Sequence, residues 1–264
     1  MPEITTDDGL SIHYQLDGRE DGPPLLFSHA LGADLSLWDD QAQEAAGQGF
    51  RVIRFDQRGH GQSGSPRADA SIERLGKDVL NLLDGLQIQQ TAYCGMSMGG
   101  MVGVWLAMHH PRRFSRLALC SIAVWTAPRE TWDARIKAVS DGGMQAVAES
   151  VVERWLTPEF RTSHPEKTER IRAMLLANDP LGYTAGCAAV RDIDLRDRLG
   201  LIESPVLVVI GSQDAATPPE RGQYVVERVP GAQKAVLDTA HLSNIEKPEE
   251  FNRTVLPFLA RDRR

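Results

Sequence analysis

Short apolar runs and longer amphipathic stretches take turns along the first half of the chain. Leu10–Leu16 (LSIHYQL) alternates apolar and polar residues and predicts a strand. Pro24–Ser28 (PLLFS) is a continuous apolar run, the pattern of a strand buried on both faces. Leu35–Gly47 mixes apolar and polar positions as a helix does, and Arg51–Asp56 (RVIRFD) predicts another strand running into the glycine-rich loop QRGHGQSG. Ser71–Leu86 carries Ile72, Leu75, Val79, Leu82, Leu83 and Leu86 at helical spacing. Thr91–Gly95 reads as a strand, Gly99–His110 as an apolar helix stopped by Pro111, and Phe114–Ser121 as a further strand.

The alternation then breaks. From Ala123 to Leu199 there is no strand-like run, and Trp132–Val139, Met144–Leu156, Glu166–Ala177 and Tyr183–Val190 all predict helices. Alternation resumes with the strand Pro205–Ile210, the helix Pro218–Arg228, the short strand Lys234–Leu237 and the closing helix Pro248–Ala260. The expectation is an α/β fold: a mostly parallel central sheet flanked by helices, with an all-helical insertion. Residues 1–122 and 200–264 would form the core domain, and residues 123–199 a helical cap, or lid.

Composition narrows the class. The chain has 264 residues, 29 basic and 36 acidic, for a net charge of −7, and no basic stripe. That counts against nucleic acid or an anionic membrane as a partner. No apolar run is long enough to span a bilayer, and the acidic, polar start is unlike a secretory signal. Cys94, Cys120 and Cys187 are too few for a disulfide framework and suit a reducing compartment, so a cytoplasmic protein is expected. The seven histidines are scattered with no metal-binding spacing, so neither a metal nor an organic cofactor is expected. Oligomeric state is not legible.

Candidate chemistry centres on Gly95-Met96-Ser97-Met98-Gly99, a G-x-S-x-G. In this composition such a match arises by chance roughly once in ten chains. Here, however, it follows a predicted strand and opens a predicted helix, the setting of a nucleophile elbow. A serine nucleophile needs a base and an orienting carboxylate, in the chain order serine, acid, histidine on this architecture. Asp214 follows the buried strand PVLVVI, and His241 follows the strand KAVL, so both fall at the same sheet edge as Ser97. Asp238 and Glu246 are competing carboxylates, but neither follows a strand ending beside the nucleophile. The oxyanion donors expected are the backbone amides of Met98 and of Leu31, the latter in the loop His29-Ala30-Leu31-Gly32. His29 reads as a structural loop histidine. Gly59-His60-Gly61-Gln62-Ser63-Gly64 matches G-x-G-x-x-G, but Pro66 interrupts before the next helix, so a structural turn is expected rather than a dinucleotide site.

The elbow, the order of the three residues and their strand placement resemble the α/β-hydrolase family across almost the whole chain, as does Asp56–Ser63 (DQRGHGQS). Ser97 stands where epoxide- and halide-cleaving members have an aspartate. Thr126–Val139, Arg154–Pro158, Ala188–Arg196, Thr217-Pro218-Pro219 and Ala240–Glu246 are similar to 3-oxoadipate enol-lactonases. Departures are His29-Ala30, where that family commonly has Asn-Ser, and Leu156, where it often has Phe. The resemblance implies a small anionic lactone as substrate, opened by Ser97, His241 and Asp214 to 3-oxoadipate in aromatic catabolism without a cofactor. Such a substrate wants a cation in a molecule that would otherwise repel it. The segment 123–200 is near neutral, with 11 basic and 12 acidic residues. Trp132 and Arg135, neighbours on one predicted helix, are the candidate carboxylate binders. On helical pattern alone Trp132 belongs to the buried stripe and Arg135 to solvent. Trp125 and Trp155 are expected in the cap core, and Arg191 in an ion-pair network. The same scaffold also hosts carboxylesterases, carbon–carbon bond hydrolases and cofactor-free perhydrolases. A non-catalytic small-ligand receptor is the alternative from a different class.

Overall fold

In the computed structural model, which describes residues 2–66, 68–126 and 128–260, eight strands form one sheet. Met1, Arg67, Ala127 and residues 261–264, which the expected core and cap boundaries include, lie outside the described residues. The strands are β1 (Glu3–Thr5), β2 (Ser11–Gly18), β3 (Pro24–Ser28), β4 (Arg51–Phe55), β5 (Thr91–Met96), β6 (Phe114–Cys120), β7 (Val206–Gly211) and β8 (Gln233–Leu237). Their order across the sheet is β1-β2-β4-β3-β5-β6-β7-β8. The β1–β2 and β2–β4 pairings are antiparallel, and the remaining five, from β4 across to β8, are parallel. The central strands β5 and β7 are buried at every residue, which is why they read as continuous apolar runs rather than alternating ones.

The core helices are α1 (Asp39–Gly47), α2 (Ile72–Gly85) and α3 (Met98–His109). Between β6 and β7 the chain forms α4 (Arg129–Gly142), α5 (Gln145–Trp155), α6 (Pro158–Ser163), α7 (Pro165–Leu176) and α8 (Pro180–Arg191). After β7 come α9 (Pro219–Arg228), α10 (Ser243–Glu246) and α11 (Pro248–Leu259). Leu35–Trp38, expected as the first turn of a longer helix, is a separate 3-10 turn capped by the Asp34 side chain. Helix α2 is amphipathic, starts at the Ser71 cap and buries its apolar stripe. Helix α3 buries all but one of its residues, so it has no polar face and no amphipathic signature. Among the described residues between β6 and β7, the one β-type pairing is the bridge Trp125–Asp194, where the chain leaves and re-enters the sheet region.

Parallel strands present their carboxyl ends on a common edge. That edge receives the loop 29–32 after β3, Ser97 after β5, Asp214 after β7 and His241 after β8.

Candidate active site

Ser97 sits between β5 and α3 with φ 52° and ψ −113°, a left-handed conformation that non-glycine residues rarely adopt. Its amide donates to the Cys120 carbonyl at 2.8 Å, which fixes the bend. The flanking glycines are required by close backbone approach. A Cβ at Gly95 would lie 2.4 Å from the Gly99 carbonyl oxygen, and one at Gly99 would lie 2.3 Å from the Ser28 carbonyl oxygen.

Asp214 and His241 are both buried, and Asp214 Oδ2 lies 2.8 Å from His241 Nδ1. The amides of Ala216 and Thr217 donate to Asp214 Oδ1 at 2.8 and 2.9 Å, and Thr217 Oγ1 is 2.7 Å from Oδ2. Burial pushes the Asp214 carboxyl up, but the His241 ring and the Thr217 donors outweigh it and hold it below the usual range. An ionised Asp214 accepts only, so Nδ1 of His241 is the donor in this pair, which selects the tautomer in which a neutral ring has Nε2 as its acceptor. Of the competing carboxylates, Asp238 bonds Gln213 and Ser212, and Glu246 bonds Thr157 Oγ1 and the Ala240 amide.

Sequence reasoning missed Ser121. It directly follows β6 with φ 50°, donates from Oγ to the His241 carbonyl at 2.8 Å, and its own backbone carbonyl oxygen lies 2.9 Å from Thr217 Oγ1. It thereby joins the histidine and aspartate loops, and a serine at a strand end carries no distinguishing signal in one sequence.

The 29–32 loop is pinned from beneath. His29 is fully buried; its Nδ1 lies 2.8 Å from the Ala30 carbonyl oxygen, and its Nε2 accepts the Gln57 amide at 2.9 Å. Burial lowers its pKa to about 4, so it is neutral and structural. Leu31 lines the cavity above Ser97, while Met98 is the first residue of α3. Neither amide has a hydrogen-bond acceptor among the described residues. The G-x-G-x-x-G loop is a structural turn. Asp56 accepts the Leu35 and Gln62 amides at 2.8 and 2.9 Å, and a Cβ at Gly61 would strike its carboxylate. Arg58 is buried against Asp78 and pairs with Asp8.

Ser97 and His241 open into one cavity of about 330 Å³, within the range of small-molecule sites. Trp132 and Arg135 line it as half-buried residues, with the Arg135 guanidinium 4.9 Å from the Trp132 ring centroid. Trp125 and Trp155, expected in the cap core, line it too. The Trp155 ring lies nearly parallel to the His241 ring, with centroids 6.3 Å apart and an interplanar angle of 22°, and the Leu242 amide donates to the Trp155 carbonyl, tying α5 to the histidine loop. Tyr183, Arg154 and Arg221 complete features that helical spacing did not single out. Arg191 pairs with Asp192, Asp133 and Asp69, while Asp194 pairs with Arg196. Among the described residues no cluster of His, Cys, Asp and Glu could hold a metal ion, and no helix is long and apolar enough to cross a membrane.

Residues 23–248 match the profile of the alpha/beta hydrolase fold family. The chain belongs to that family. It is 38% identical over 259 residues to 3-oxoadipate enol-lactonase 2 of Acinetobacter baylyi, covering 98% of this chain and 97% of the other. The crystal structure of the enol-lactonase from Burkholderia xenovorans LB400 superposes with a TM-score of 0.95 at 37% identity, covering 98% of this chain and all of that one. A provisionally named carbamate hydrolase, RutD of Agrobacterium fabrum, is 30% identical over 256 residues, covering 94% of this chain and 98% of the other. Hydrolysis is the activity these relatives share, and this alpha/beta hydrolase is a hydrolase at that level of description.

Proposed function

We propose that this alpha/beta hydrolase opens 3-oxoadipate enol-lactone through a Ser97–His241–Asp214 triad. The observation that carries the proposal is the joining of strained Ser97 and Asp214-held His241 in one cavity lined by Arg135, Arg154 and Arg221. The similarity to enol-lactonases over nearly the whole chain, cap included, supports the substrate.

In this mechanism Ser97 Oγ attacks the lactone carbonyl while His241 Nε2 takes its proton. Negative charge develops on the carbonyl oxygen, where the Leu31 and Met98 amides donate to it. Collapse breaks the ring C–O bond, and His241 returns the proton to the departing enol oxygen, which relaxes to a ketone. The acyl group stays on Ser97 until a water, deprotonated by His241, attacks its carbonyl; collapse breaks the bond to Ser97 Oγ, releases the carboxylate, and His241 returns the proton to Ser97 Oγ. The helical segment 123–199 acts as a cap that covers the acyl-enzyme, with the Trp155 ring against the histidine. Arg135, packed against Trp132, adds positive field on the cap side of the cavity, where an anionic substrate enters. No step calls for a metal or organic cofactor.

The test is product identification by NMR with the enol-lactone as substrate. The wild type yields 3-oxoadipate. Ser97→Ala keeps its thermal transition within a few degrees and loses at least about a thousandfold in kcat. Undiminished turnover by that variant overturns the mechanism. The carbamate hydrolase relative motivates a second reading, hydrolysis of a small carbamate by the same three residues.

A further inference from the structure

Arg135, Arg154 and Arg221 line the cavity, and none has a carboxylate partner among the described residues. Elsewhere the half-buried and buried guanidinium groups of Arg54, Arg58 and Arg191 are ion-paired. The three cavity arginines differ in what they lack. Arg154 donates from Nε to the Ser150 carbonyl within its own helix. Arg135 lies over Trp132, on a cap helix. Arg221 has its Cζ 4.1 Å from the Trp125 ring centroid, and its Nη1 is fully buried with no hydrogen-bond partner.

A buried N–H without an acceptor carries a desolvation penalty, larger when the group is charged. An incoming carboxylate meets the part of the Arg221 side chain that lines the cavity, a small shift of the guanidinium on Trp125 brings Nη1 to it and removes that penalty, and the planar fork of a guanidinium held against an aromatic face suits it. Arg221 stands in the first turn of α9, directly after the loop that carries Asp214 and Thr217. It is therefore fixed to the core, at a set distance from the His241–Asp214 pair, whereas Arg135 and Arg154 stand on cap helices.

We infer that Arg221, braced on Trp125, is the specificity-determining residue that takes the carboxylate of an anionic acyl substrate, with Arg135 contributing positive field. The identity of the reaction comes from the proposed function above; the carboxylate site itself does not depend on the acyl group being a lactone.

Two measurements on the full chain test the inference. The first is calorimetric binding of glutarate, a plain dicarboxylate, to the wild type, Arg221→Met and Arg135→Met. Wild type binds, Arg221→Met weakens Kd tenfold or more, and Arg135→Met weakens it less than threefold. The second is the ratio of kcat/KM for a monoaryl glutarate to that for the aryl butyrate. It falls tenfold or more in Arg221→Met, chiefly through KM. Should that variant not fold, Arg221→Lys decides: it keeps the charge but loses the fork, and the ratio falls at least threefold. The inference is overturned if wild type does not bind glutarate, if the ratio is unmoved by the Arg221 substitutions, or if Arg135→Met moves both readouts more than Arg221→Met. Neither probe is a lactone, so the carboxylate site can fail while enol-lactone turnover stands, and the reverse.

Discussion

Ser97 is held at φ 52° by the Cys120 carbonyl beneath it and by glycines that let strand and helix close around it. Backbone strain of this kind costs about 1–3 kcal/mol and persists only where surrounding packing enforces it. The histidine is treated similarly: Asp214 fixes its tautomer, Thr217 fixes Asp214, and Ser121 ties both loops to β6. Asp214→Asn leaves this geometry nearly intact but can present an N–H to His241 Nδ1, which favours the wrong tautomer. A loss on the order of a thousandfold or more in kcat is expected, with KM little changed. Steady-state kinetics on any accepted ester checks it, and a loss below tenfold would remove Asp214 from its role. At this scale the convergence of Ser97, Asp214 and His241 on one sheet edge was legible, because strand ends and loop order place them there. Ser121, Trp155 and Arg221 were not, since their roles arise from contacts between segments far apart in the chain.

At the scale of elements, local pattern and packing agree wherever a helix has one buried face or a strand two. Helix α2 and strands β3 and β7 fall within a residue or so of expectation. The misses are short or mixed elements. β1 has three residues and α10 four, too few for a period to be visible, and α6 buries only Phe160. Helix α4 runs from Arg129 to Gly142, beyond the expected Trp132–Val139, because its exposed ends carry no apolar signal. Docking of α8 on the core was also illegible. It rests on backbone contact between Gly182 and Gly59, where a Cβ on Gly182 would lie 2.1 Å from the Gly59 carbonyl oxygen. Gly182→Ala therefore forces α8 away from the DQRGHGQS loop. An overpacking cost of about 1–3 kcal/mol is expected, read as a lower urea midpoint, together with a raised KM. An unchanged midpoint would mean that this contact yields freely.

For the whole molecule, the net charge of −7 and the arginine-lined cavity oppose each other. The field outside repels an anionic substrate, so kcat/KM on one should rise with moderate salt before the cavity itself is screened. Acid stability has a separate origin. His29 and His60 are fully buried, and burial lowers their pKa values to about 4 and about 3. Both stay neutral in the fold while the unfolded chain begins to take up protons below about 6.5. Stability is therefore complete above that value and falls as the pH drops toward the folded pKa values. By pH 5 each histidine costs about 2 kcal/mol. Urea midpoints at pH 7 and pH 5 measure this, and His60→Asn should remove roughly half of the difference. Equal midpoints for the wild type at the two values would contradict the burial account.

The central claim is that this cavity was shaped for an anionic enol-lactone rather than for esters or carbamates at large. The most direct measurement is kcat/KM of the wild type on 3-oxoadipate enol-lactone beside a neutral short-chain aryl ester and a small alkyl carbamate. The loss of the lactone's ultraviolet absorbance reports ring opening. The account predicts that the lactone exceeds both alternatives by at least a hundredfold. Preference for the carbamate, or equal rates on lactone and neutral ester, would contradict it.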